Sequence, residues 1–348
     1  MYIWILNIVI LLILSITTSI KTDISIDTKK NILLGIMFFQ LLFLYFFKNI
    51  KIFPDLPEYL YVFEQSKNTN WNKVIQELPF GPGWNFITKL FSTISSDSSY
   101  FLLFNGFIFI ISFFLIIKKY SIIVWFSIYL LIATVFYNSF FILRQNLAAA
   151  ICLFSLPYII ERKPLRFVFF ILIASSLHGS ALIFSILYFI YPLKINKIYF
   201  IFIMIIGVII FFYFHTLFQS LSIYSIGYDV YFVNELHDIA NFTSALLSLS
   251  IFLVLLFSYY PFKELSASEQ LFFHMSAILL LIEISRIGLP GTIGRLNIYF
   301  IISTIILIPN GLNRFKNKLI KYIFMFIIFV LFFILMLKQM NYGYELSL

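Results

Sequence analysis

Apolar residues occupy most of the chain in long runs, and short polar connections separate these runs from one another. A bilayer core needs about 20 apolar residues per helix, and fewer where a helix is broken inside protein. The pattern predicts about twelve membrane segments, near residues 2–20, 31–48, 99–117, 121–138, 145–160, 167–177, 180–191, 198–214, 241–259, 271–289, 296–309 and 319–337. We therefore expect an all-α polytopic membrane protein in which residues 1–348 form a single integral membrane domain.

Two longer polar connections interrupt this pattern. Residues 48–98 contain turn-forming Pro and Gly, and the stretches WNKVIQELPF and WNFITKLF predict short amphipathic helices lying on a surface. Residues 215–240 contain acidic residues but no Lys or Arg. We expect both connections to be loops outside the cytoplasm.

The basic residues predict which side of the membrane each connection faces. Short connections rich in Lys and Arg tend to face the cytoplasm. Fifteen of the 24 Lys and Arg residues lie in one alternate set of connections, namely Lys21, Lys29, Lys30, Lys118, Lys119, Arg162, Lys163, Arg166, Lys194, Lys197, Lys263, Arg314, Lys316, Lys318 and Lys321. This set is therefore predicted to be cytoplasmic, which places the two long loops outside.

The stretch 167–191 decides whether this orientation holds along the whole chain. One long span there would move every later basic cluster to the outside. Two short helices that turn at His178-Gly179 keep the clusters in the cytoplasm, and each arm reaches only about 17 Å into the bilayer. Backbone broken at that depth is tolerated only against protein or a water-filled cavity. The sequence thus predicts a re-entrant helix pair and a polar cavity opening outward, with His178 at its floor.

Composition agrees with a membrane protein and excludes several soluble classes. Hydrophobic residues make up 62% of the chain and charged residues 11%, whereas a soluble chain carries roughly 25% charged residues. The net charge of +9 is explained by cytoplasmic loops, so we expect no nucleic-acid partner. The single cysteine, Cys152, excludes an intrachain disulfide and a Cys-rich metal site. The first twenty residues lack a basic n-region and are expected to be a retained span.

Basic and polar side chains gather where the predicted cavity lies. They are Arg144 and Gln145 after the fourth segment, His178 and Ser180 at the re-entrant turn, and Arg286 and Arg295 on either side of a short external turn. Arginine is costly in hydrocarbon and is usually retained for a ligand or partner. Guanidinium forks bind phosphate oxygens in a bidentate manner. Three arginines that converge from different helices would suit a diphosphate and could neutralise it without Mg²⁺.

Each of these residues also has a structural explanation. Arg144 and Arg295 lie near helix ends and could extend to the membrane interface. Arg286 lies three residues after Glu283, a spacing that permits an ion pair within one helix. His178 could be a core histidine with satisfied hydrogen bonds. The four histidines lack metal-ligand spacing, and no phosphate loop, nucleophile elbow or D-x-D motif is present, so we predict no metal and no other cofactor.

The external segment 48–98 is a second polar centre. It begins KIFPDLPEYLYVF, with Asp55 and Tyr59, and later contains ELPFGPGWNF, with Trp84. Its aromatic rings suit stacking on sugar faces or a belt at headgroup depth. A part in catalysis and a simple interfacial cover are both open at this point.

The run RQNLAAAICLFSLPYIIERKPLRFVFFILIASSLHGSALIFSILYFI resembles the signature of EpsG-like and Wzy-type bacterial polysaccharide polymerases. Three further elements occur in the order of that family: Asp55 with Tyr59, the Pro82-Gly83-Trp84 turn with Asn85, and Arg295 with Tyr299-Phe300. The resemblance covers about residues 50–300. Members often have a Glu shortly before the turn, whereas this chain has Phe80-Gly81 there and Glu77 as the nearest acid.

The resemblance implies a multi-pass glycosyltransferase of the GT-C type in the bacterial cytoplasmic (inner) membrane, with its active site facing the periplasm or exterior. Such an enzyme joins undecaprenyl-diphosphate-linked oligosaccharide repeats into O-antigen, capsule or exopolysaccharide. Arg144, His178 and Arg295 fall on motif positions of the family, and Asp55 falls on its external acidic position. The implied partners are the lipid-linked donor and acceptor, the lipid bilayer and a chain-length regulator protein.

The expected reaction is attack of a saccharide hydroxyl on the anomeric carbon of a diphosphate-linked chain, which releases undecaprenyl diphosphate. Arg144, Arg295 and Arg286 would stabilise the departing diphosphate. His178 is the preferred general base because neutral imidazole titrates near the working pH, and Asp55 is the rival base. Further contacts to the substrate are expected from Gln145, Ser180, Tyr299, Tyr59 and Trp84.

Two other functions are open from the sequence. An O-antigen ligase would use the same donor but transfer the glycan to the lipid A core. A flippase for lipid-linked oligosaccharides would also need cationic residues in a cavity, without making a glycosidic bond. A flippase should show two related halves and short external connections, and the sequence shows neither.

Overall fold

The computed structural model describes residues 2–20, 23–48, 53, 55–222, 242–260, 262, 265–286 and 291–339 of the chain. Every regular element within these ranges is helical. The α-helices are α1 (Tyr2–Ser19), α2 (Ile26–Phe46), α3 (Leu56–Asn68), α4 (Val74–Glu77), α5 (Pro82–Ile94), α6 (Ser99–Tyr120), α7 (Val124–Leu131), α8 (Leu143–Phe154), α9 (Leu156–Ile160), α10 (Pro164–Leu177), α11 (Ile186–Ile190), α12 (Lys197–Ser222), α13 (Phe242–Tyr259), α14 (Ala267–Ser285), α15 (Ile302–Arg314) and α16 (Lys318–Gln339). Turns of 3₁₀-helix cover Trp71–Lys73, Asn138–Phe140, Gly179–Ser185 and Gly291–Tyr299, and a π-helical turn covers Ile132–Phe136.

In its described part, each predicted segment overlaps one of these helices or two consecutive ones. By length and composition, the described helices long and apolar enough to cross a membrane are Ile26–Phe46, Ser99–Tyr120, Ala267–Ser285 and Lys318–Lys338. The bent pair Ile293–Tyr299 and Ile302–Arg314, with an angle of 57° between its arms, adds a fifth span if it counts as one. Shorter apolar helices occupy the remaining segments. The described part of the chain is therefore all-helical and agrees with a polytopic membrane protein, while the total of about twelve segments and the GT-C-type bundle stay predictions.

The end of α12 differs from the sequence-based boundary. The sequence predicts that this segment ends near residue 214, whereas the helix continues to Ser222. The added stretch HTLFQSLS contains neither Pro nor Gly, so nothing in it breaks a helix. The rest of the predicted 215–240 loop, from residue 223 onward, lies outside the described residues.

The described chain forms two compact units. The first runs from α1 to Ser185 and includes α16, and the second runs from Ile186 to Phe315. In the first unit, α8 packs between α6 and α10, and α2 packs on α6. In the second unit, α14 is central and contacts α12, α13 and α15. Seven of the predicted site residues belong to the first unit.

The chain between α7 and α8 is irregular, and two of its backbone carbonyl groups accept hydrogen bonds from side chains in and just after α2. After the π-helical turn and the 3₁₀ turn, the chain enters α8 without a regular helical ladder. Tyr45 Oη donates to the carbonyl of Ser139 at 2.7 Å, and Lys48 Nζ donates to that of Phe140 at 2.8 Å. A buried backbone group without a partner costs several kcal/mol in hydrocarbon. These two bonds therefore fix the backbone just ahead of Arg144.

Residues 55–94 fold into short helices that are joined by a buried lysine. Lys89 Nζ in α5 donates to the carbonyl of Ser66 in α3 at 2.9 Å. The opposite face of this segment exposes apolar side chains, namely Trp71, Ile75, Phe86, Leu90 and Ile94. One buried and one exposed apolar face is typical of helices that lie at headgroup depth. The placement of this segment outside the cytoplasm stays a prediction.

The helix break predicted at His178-Gly179 is present. Helix α10 ends at Leu177, and His178 has an extended backbone with φ −154° and ψ 118°. The following 3₁₀ turn packs against α10 and leads into α11. Because His178 does not continue the helix, its side chain leaves α10 in a direction that a continuous span would not allow. The depth of this turn in the bilayer stays a prediction.

The second unit contains a buried histidine whose hydrogen bonds are satisfied. His274 in α14 is fully buried, with Nδ1 2.9 Å from Tyr199 Oη and Nε2 3.1 Å from the carbonyl of Leu193. Both ring nitrogens are therefore engaged in hydrogen bonds that join α14 to Tyr199 of α12 and to Leu193. His274 is therefore a structural residue of the second unit.

Candidate functional site

Arg144 lies in the first turn of α8 and stacks on aromatic rings. Its guanidinium carbon is 3.9 Å from the centre of the Phe80 ring and 5.9 Å from that of the Tyr59 ring. The side chain is partly buried, and its Nε has no hydrogen-bond partner among the described residues. The ion pairs of the described ranges do not include Arg144. The guanidinium is therefore held by ring faces, which leaves its charge uncompensated by a carboxylate.

The turn before α5 fixes the ring on which Arg144 stacks. Asn85 Nδ2 donates to the carbonyl of Phe80 at 2.8 Å, and Asn85 is fully buried. A Cβ on Gly81 would lie 2.7 Å from the carbonyl oxygen of Ser176, so only glycine lets the turn approach the end of α10 this closely. The turn is thus clamped on one side by Asn85 and on the other by α10.

Tyr59 and Trp84 support this stack from behind. Tyr59 is buried, and its ring centre lies 5.4 Å from that of Trp84, which is fully buried. Burial raises the pKa of Tyr59, and the hydrogen-bonded charge of Arg144 opposes that rise. Asp55 precedes α3 by one residue, and its negative charge acts on Tyr59 as well. Stacking of a sugar on Trp84 or Tyr59 stays a prediction, because neither ring is exposed here.

His178 is linked to α8 by a short chain of hydrogen bonds. Its Nδ1 lies 2.7 Å from Ser180 Oγ, and the backbone N–H of Ser180 donates to the same nitrogen at 3.4 Å. Gln145 Nε2 donates to Ser180 Oγ at 3.4 Å. Gln145 is buried, whereas His178 and Ser180 are partly exposed. The helix break and the start of α8 therefore meet at these three side chains.

These contacts close into a ring around one place in the first unit. Arg144 contacts Phe80, and Gly81, the next residue after Phe80, lies against Ser176. His178 follows Ser176 by two residues and bonds to Ser180, which bonds to Gln145, the residue after Arg144. The structure thus connects six residues that the sequence selected, namely Tyr59, Trp84, Arg144, Gln145, His178 and Ser180, and Asp55 precedes the helix that carries Tyr59. A cation and an imidazole connected in this way can bind an anionic leaving group.

The remaining three candidates belong to the second unit. Arg286 Nη1 lies 2.9 Å from each carboxylate oxygen of Glu283, and Asn297 Nδ2 also donates to Glu283. The ion-pair alternative for Arg286 is therefore confirmed. Arg295 is exposed, and Tyr299 is fully buried. A clamp that combines Arg144 with Arg286 and Arg295 would draw on both units and stays a prediction.

We expect Glu283→Ala to destabilise the protein by about 3–5 kcal/mol, because it leaves the partly buried Arg286 without its counter-charge. The side chains of Arg286 and Glu283 are only 22% and 8% exposed. The double variant Glu283→Leu, Arg286→Met should recover most of this loss, since it removes both charges together. The temperature of half-maximal aggregation of the detergent-solubilised protein measures both effects. Equal loss in the single and double variants would contradict the assignment of a structural pair.

We expect Phe80→Leu to lower transferase activity by about twofold to thirtyfold, because a cation–π contact contributes about 0.5–2 kcal/mol. Leu keeps the apolar contact of this position with the cluster of Val62, Val74 and Leu78. Phe86→Leu is the matched control, since Phe86 is exposed on α5, the helix that follows the Phe80 turn. Activity is measured as turnover of lipid-linked repeats. Equal activity of Phe80→Leu and Phe86→Leu would mean that the stack does not position Arg144.

Sequence reasoning missed the roles of Phe80 and Lys48. A signal for Phe80 was present in the Gly-Pro-Gly sequence after it, because paired glycines often mark a close approach between backbones. Lys48 ends an apolar run, where a lysine normally extends to the interface, and only the folded chain reveals its bond to the Phe140 carbonyl. Within the described ranges, no three side chains of His, Cys, Asp or Glu form a group that could hold a metal ion.

Comparison with known proteins gives one match. A family model described as the EpsG family matches residues 31–346, which is most of the chain. No curated protein and no solved structure matches this sequence.

Proposed function

This chain belongs to the EpsG family, and we propose that it is a membrane glycosyltransferase that polymerises undecaprenyl-diphosphate-linked oligosaccharide repeats into O-antigen, capsule or exopolysaccharide. Family membership supports a polysaccharide polymerase of the membrane. We propose the cytoplasmic membrane as its location and the periplasmic or external face for its active site, in agreement with the distribution of Lys and Arg along the chain. A chain-length regulator protein is the proposed protein partner.

The observation that carries this proposal is the Arg144 guanidinium on its aromatic support, connected through Gln145 and Ser180 to the partly exposed imidazole of His178. Arg144 makes no ion pair among the described residues, so its charge can serve an incoming anion. It also lies in the first turn of α8, where backbone N–H groups and the helix dipole favour negative charge. A diphosphate suits both features, because its oxygens accept a guanidinium fork.

In the proposed reaction, a hydroxyl oxygen of one saccharide attacks the anomeric carbon of a second, diphosphate-linked chain. The new bond joins that oxygen to the anomeric carbon, and the bond between the anomeric carbon and the phosphate oxygen breaks. The electron pair of the broken bond stays on the phosphate oxygen, and undecaprenyl diphosphate leaves. The hydroxyl proton passes to a base, for which His178 and Asp55 are the candidates. Arg144 opposes the charge that grows on the leaving phosphate.

In this proposal, the two arginines of the second unit, Arg295 and Arg286, have different roles. Arg295 is the second cation for the diphosphate in this proposal, since its side chain is exposed and a guanidinium fork matches phosphate oxygens. Arg286 keeps the Gly291–Tyr299 turn in place through Glu283 and Asn297, because its charge is already matched. Arg286 thus positions backbone and does not bind phosphate itself.

The experiment that tests the function uses purified protein in proteoliposomes and a synthetic undecaprenyl-diphosphate-linked repeat. A ladder of longer glycans with release of undecaprenyl diphosphate supports the polymerase. Product only after addition of lipid A core would identify a ligase. Movement of labelled donor across the bilayer without a new glycosidic bond would identify a flippase. The last two outcomes would each reject the proposed function.

A further inference from the structure

Two hydrogen-bond donors of Ser180 are directed at Nδ1 of His178. The backbone N–H of Ser180 lies 3.4 Å from this nitrogen, and a backbone N–H can only donate. The hydroxyl of Ser180 lies 2.7 Å from the same nitrogen. Nδ1 therefore acts as an acceptor in both contacts and carries no proton.

Gln145 donates a hydrogen bond to the Ser180 hydroxyl oxygen. Its amide Nε2, also an obligatory donor, lies 3.4 Å from Ser180 Oγ. Because the backbone N–H already makes Nδ1 an acceptor, the Ser180 hydroxyl is the donor in its 2.7 Å contact with the same nitrogen, and the bond from Gln145 holds Oγ in place. The chain of donors thus runs from Gln145 through Ser180 to His178.

A neutral imidazole carries one proton, so an unprotonated Nδ1 places that proton on Nε2. A general base needs the opposite arrangement, with the lone pair on the nitrogen that meets the substrate. We propose that His178 serves the transferase as a hydrogen-bond donor through Nε2–H to the departing diphosphate, and that Ser180 and Gln145 are positioning residues that set this tautomer. This inference rests on the proposed function.

The residues around His178 agree with a role for its Nε2–H as a hydrogen-bond donor to the diphosphate. Gln145 follows Arg144 directly in α8, so the residues that set the tautomer and the stacked guanidinium occupy adjacent positions. A diphosphate that binds there would receive a charged fork from Arg144 and a neutral N–H from His178. Both donors strengthen as charge grows on the leaving oxygen. The hydroxyl proton of the attacking saccharide then passes to the carboxylate of Asp55.

The first test reads the tautomer directly and does not depend on activity. The full-length protein in proteoliposomes is labelled with ¹⁵N only at its four histidines, and the His178 signal is assigned by its loss in His178→Gln. We expect nitrogen chemical shifts of an unprotonated Nδ1 and a protonated Nε2 at neutral pH. In Ser180→Ala the two tautomers should mix, whereas Ser175→Ala should leave the signal unchanged, since the Ser175 hydroxyl donates within α10. A protonated Nδ1 in the wild type overturns the proposal.

The second test separates a donor from a base by kinetics. Gln can place an N–H near the position of Nε2 but cannot act as a base, and Phe offers neither. We expect His178→Gln to keep kcat within about tenfold of the wild type and His178→Phe to lose at least about 100-fold. Ser180→Ala should lower kcat by about threefold to tenfold with KM little changed, as expected for a contact strongest in the transition state. Equal loss in His178→Gln and His178→Phe overturns the donor role.

The two tests keep this inference distinct from the proposed function. A wild type that makes no glycan from lipid-linked repeats rejects the function, while the tautomer is still decided by its nitrogen shifts. A wild type that polymerises, together with an inactive His178→Gln, rejects the inference alone.

Discussion

Replacing Arg144 by Ala should lower kcat for lipid-linked repeats by about 10²–10³-fold, the usual cost of removing one preorganised donor from a developing oxyanion. The guanidinium lies 3.9 Å from the centre of the Phe80 ring and makes no ion pair among the described residues. Its charge is therefore held in place before the substrate arrives, so no reorganisation is needed when the phosphate leaves. The length of the glycan ladder from purified protein measures the effect.

Matched variants separate this effect from loss of the fold. Arg166→Ala removes a guanidinium that also lies over a ring, 5.7 Å from the centre of Tyr158, and should leave activity unchanged. Arg144→Lys keeps a charge but loses the planar fork and should recover little activity. Cys152 is the only cysteine of the chain and is buried, so slow modification by a thiol reagent reports that each variant is folded. Ladders of normal length from both Arg144→Ala and Arg295→Ala would reject the arginine clamp.

Much of the secondary structure follows from the sequence alone, because apolar runs and their breaks are local properties. The distribution of basic residues among the loops predicted a break at His178-Gly179 after a segment ending at residue 177, and α10 ends at Leu177. The end of α12 was missed because the run after residue 214 is only moderately polar and contains no helix breaker. The end of a helix is predicted from a few local residues, such as helix breakers, whereas the existence of the helix is predicted from its whole apolar run.

The site itself could be predicted only in part. The sequence selected Arg144 and His178 from the cost of placing polar groups in a membrane, and this argument needs no tertiary structure. The partners of Arg144 are distant in sequence, since Phe80 reaches it only after Asn85 and Ser176 have fixed the turn. Sequence spacing cannot report such a contact.

Arg286 is a second case in which sequence spacing alone does not determine the contacts of a side chain. Its position three residues after Glu283 allows either an ion pair or two separate side chains. The fold decides for the pair, because Arg286 packs directly against Gly294 and Asn297 donates to the same carboxylate. The ion pair that the spacing only permits is thus formed in the fold, with neighbours that the sequence does not identify. The same reasoning moves the base role away from His178, whose tautomer depends on Ser180.

Asp55→Asn should lower kcat by about 10²–10⁴-fold, the range for loss of a general base, with KM for the lipid-linked repeat changed much less. Asp55 directly precedes α3, and its carboxylate makes no capping hydrogen bond to that helix. Its charge acts on Tyr59, which lies beneath the Arg144 guanidinium. Asparagine has nearly the same shape, so the fold should persist while the proton acceptor is lost. Single-turnover assays with a purified repeat measure the chemical step directly.

Glu58→Gln is the matched control for this prediction, because Glu58 is an exposed carboxylate in the first turn of the same helix and also acts on Tyr59. A general electrostatic effect of acidic residues on Arg144 would slow both variants to a similar extent. A base function slows Asp55→Asn alone, and Asp55→Glu should then recover part of the rate, since it restores a proton acceptor at a shifted position. Wild-type turnover in Asp55→Asn, combined with an inactive His178→Gln, would return the base role to the histidine and require its other tautomer.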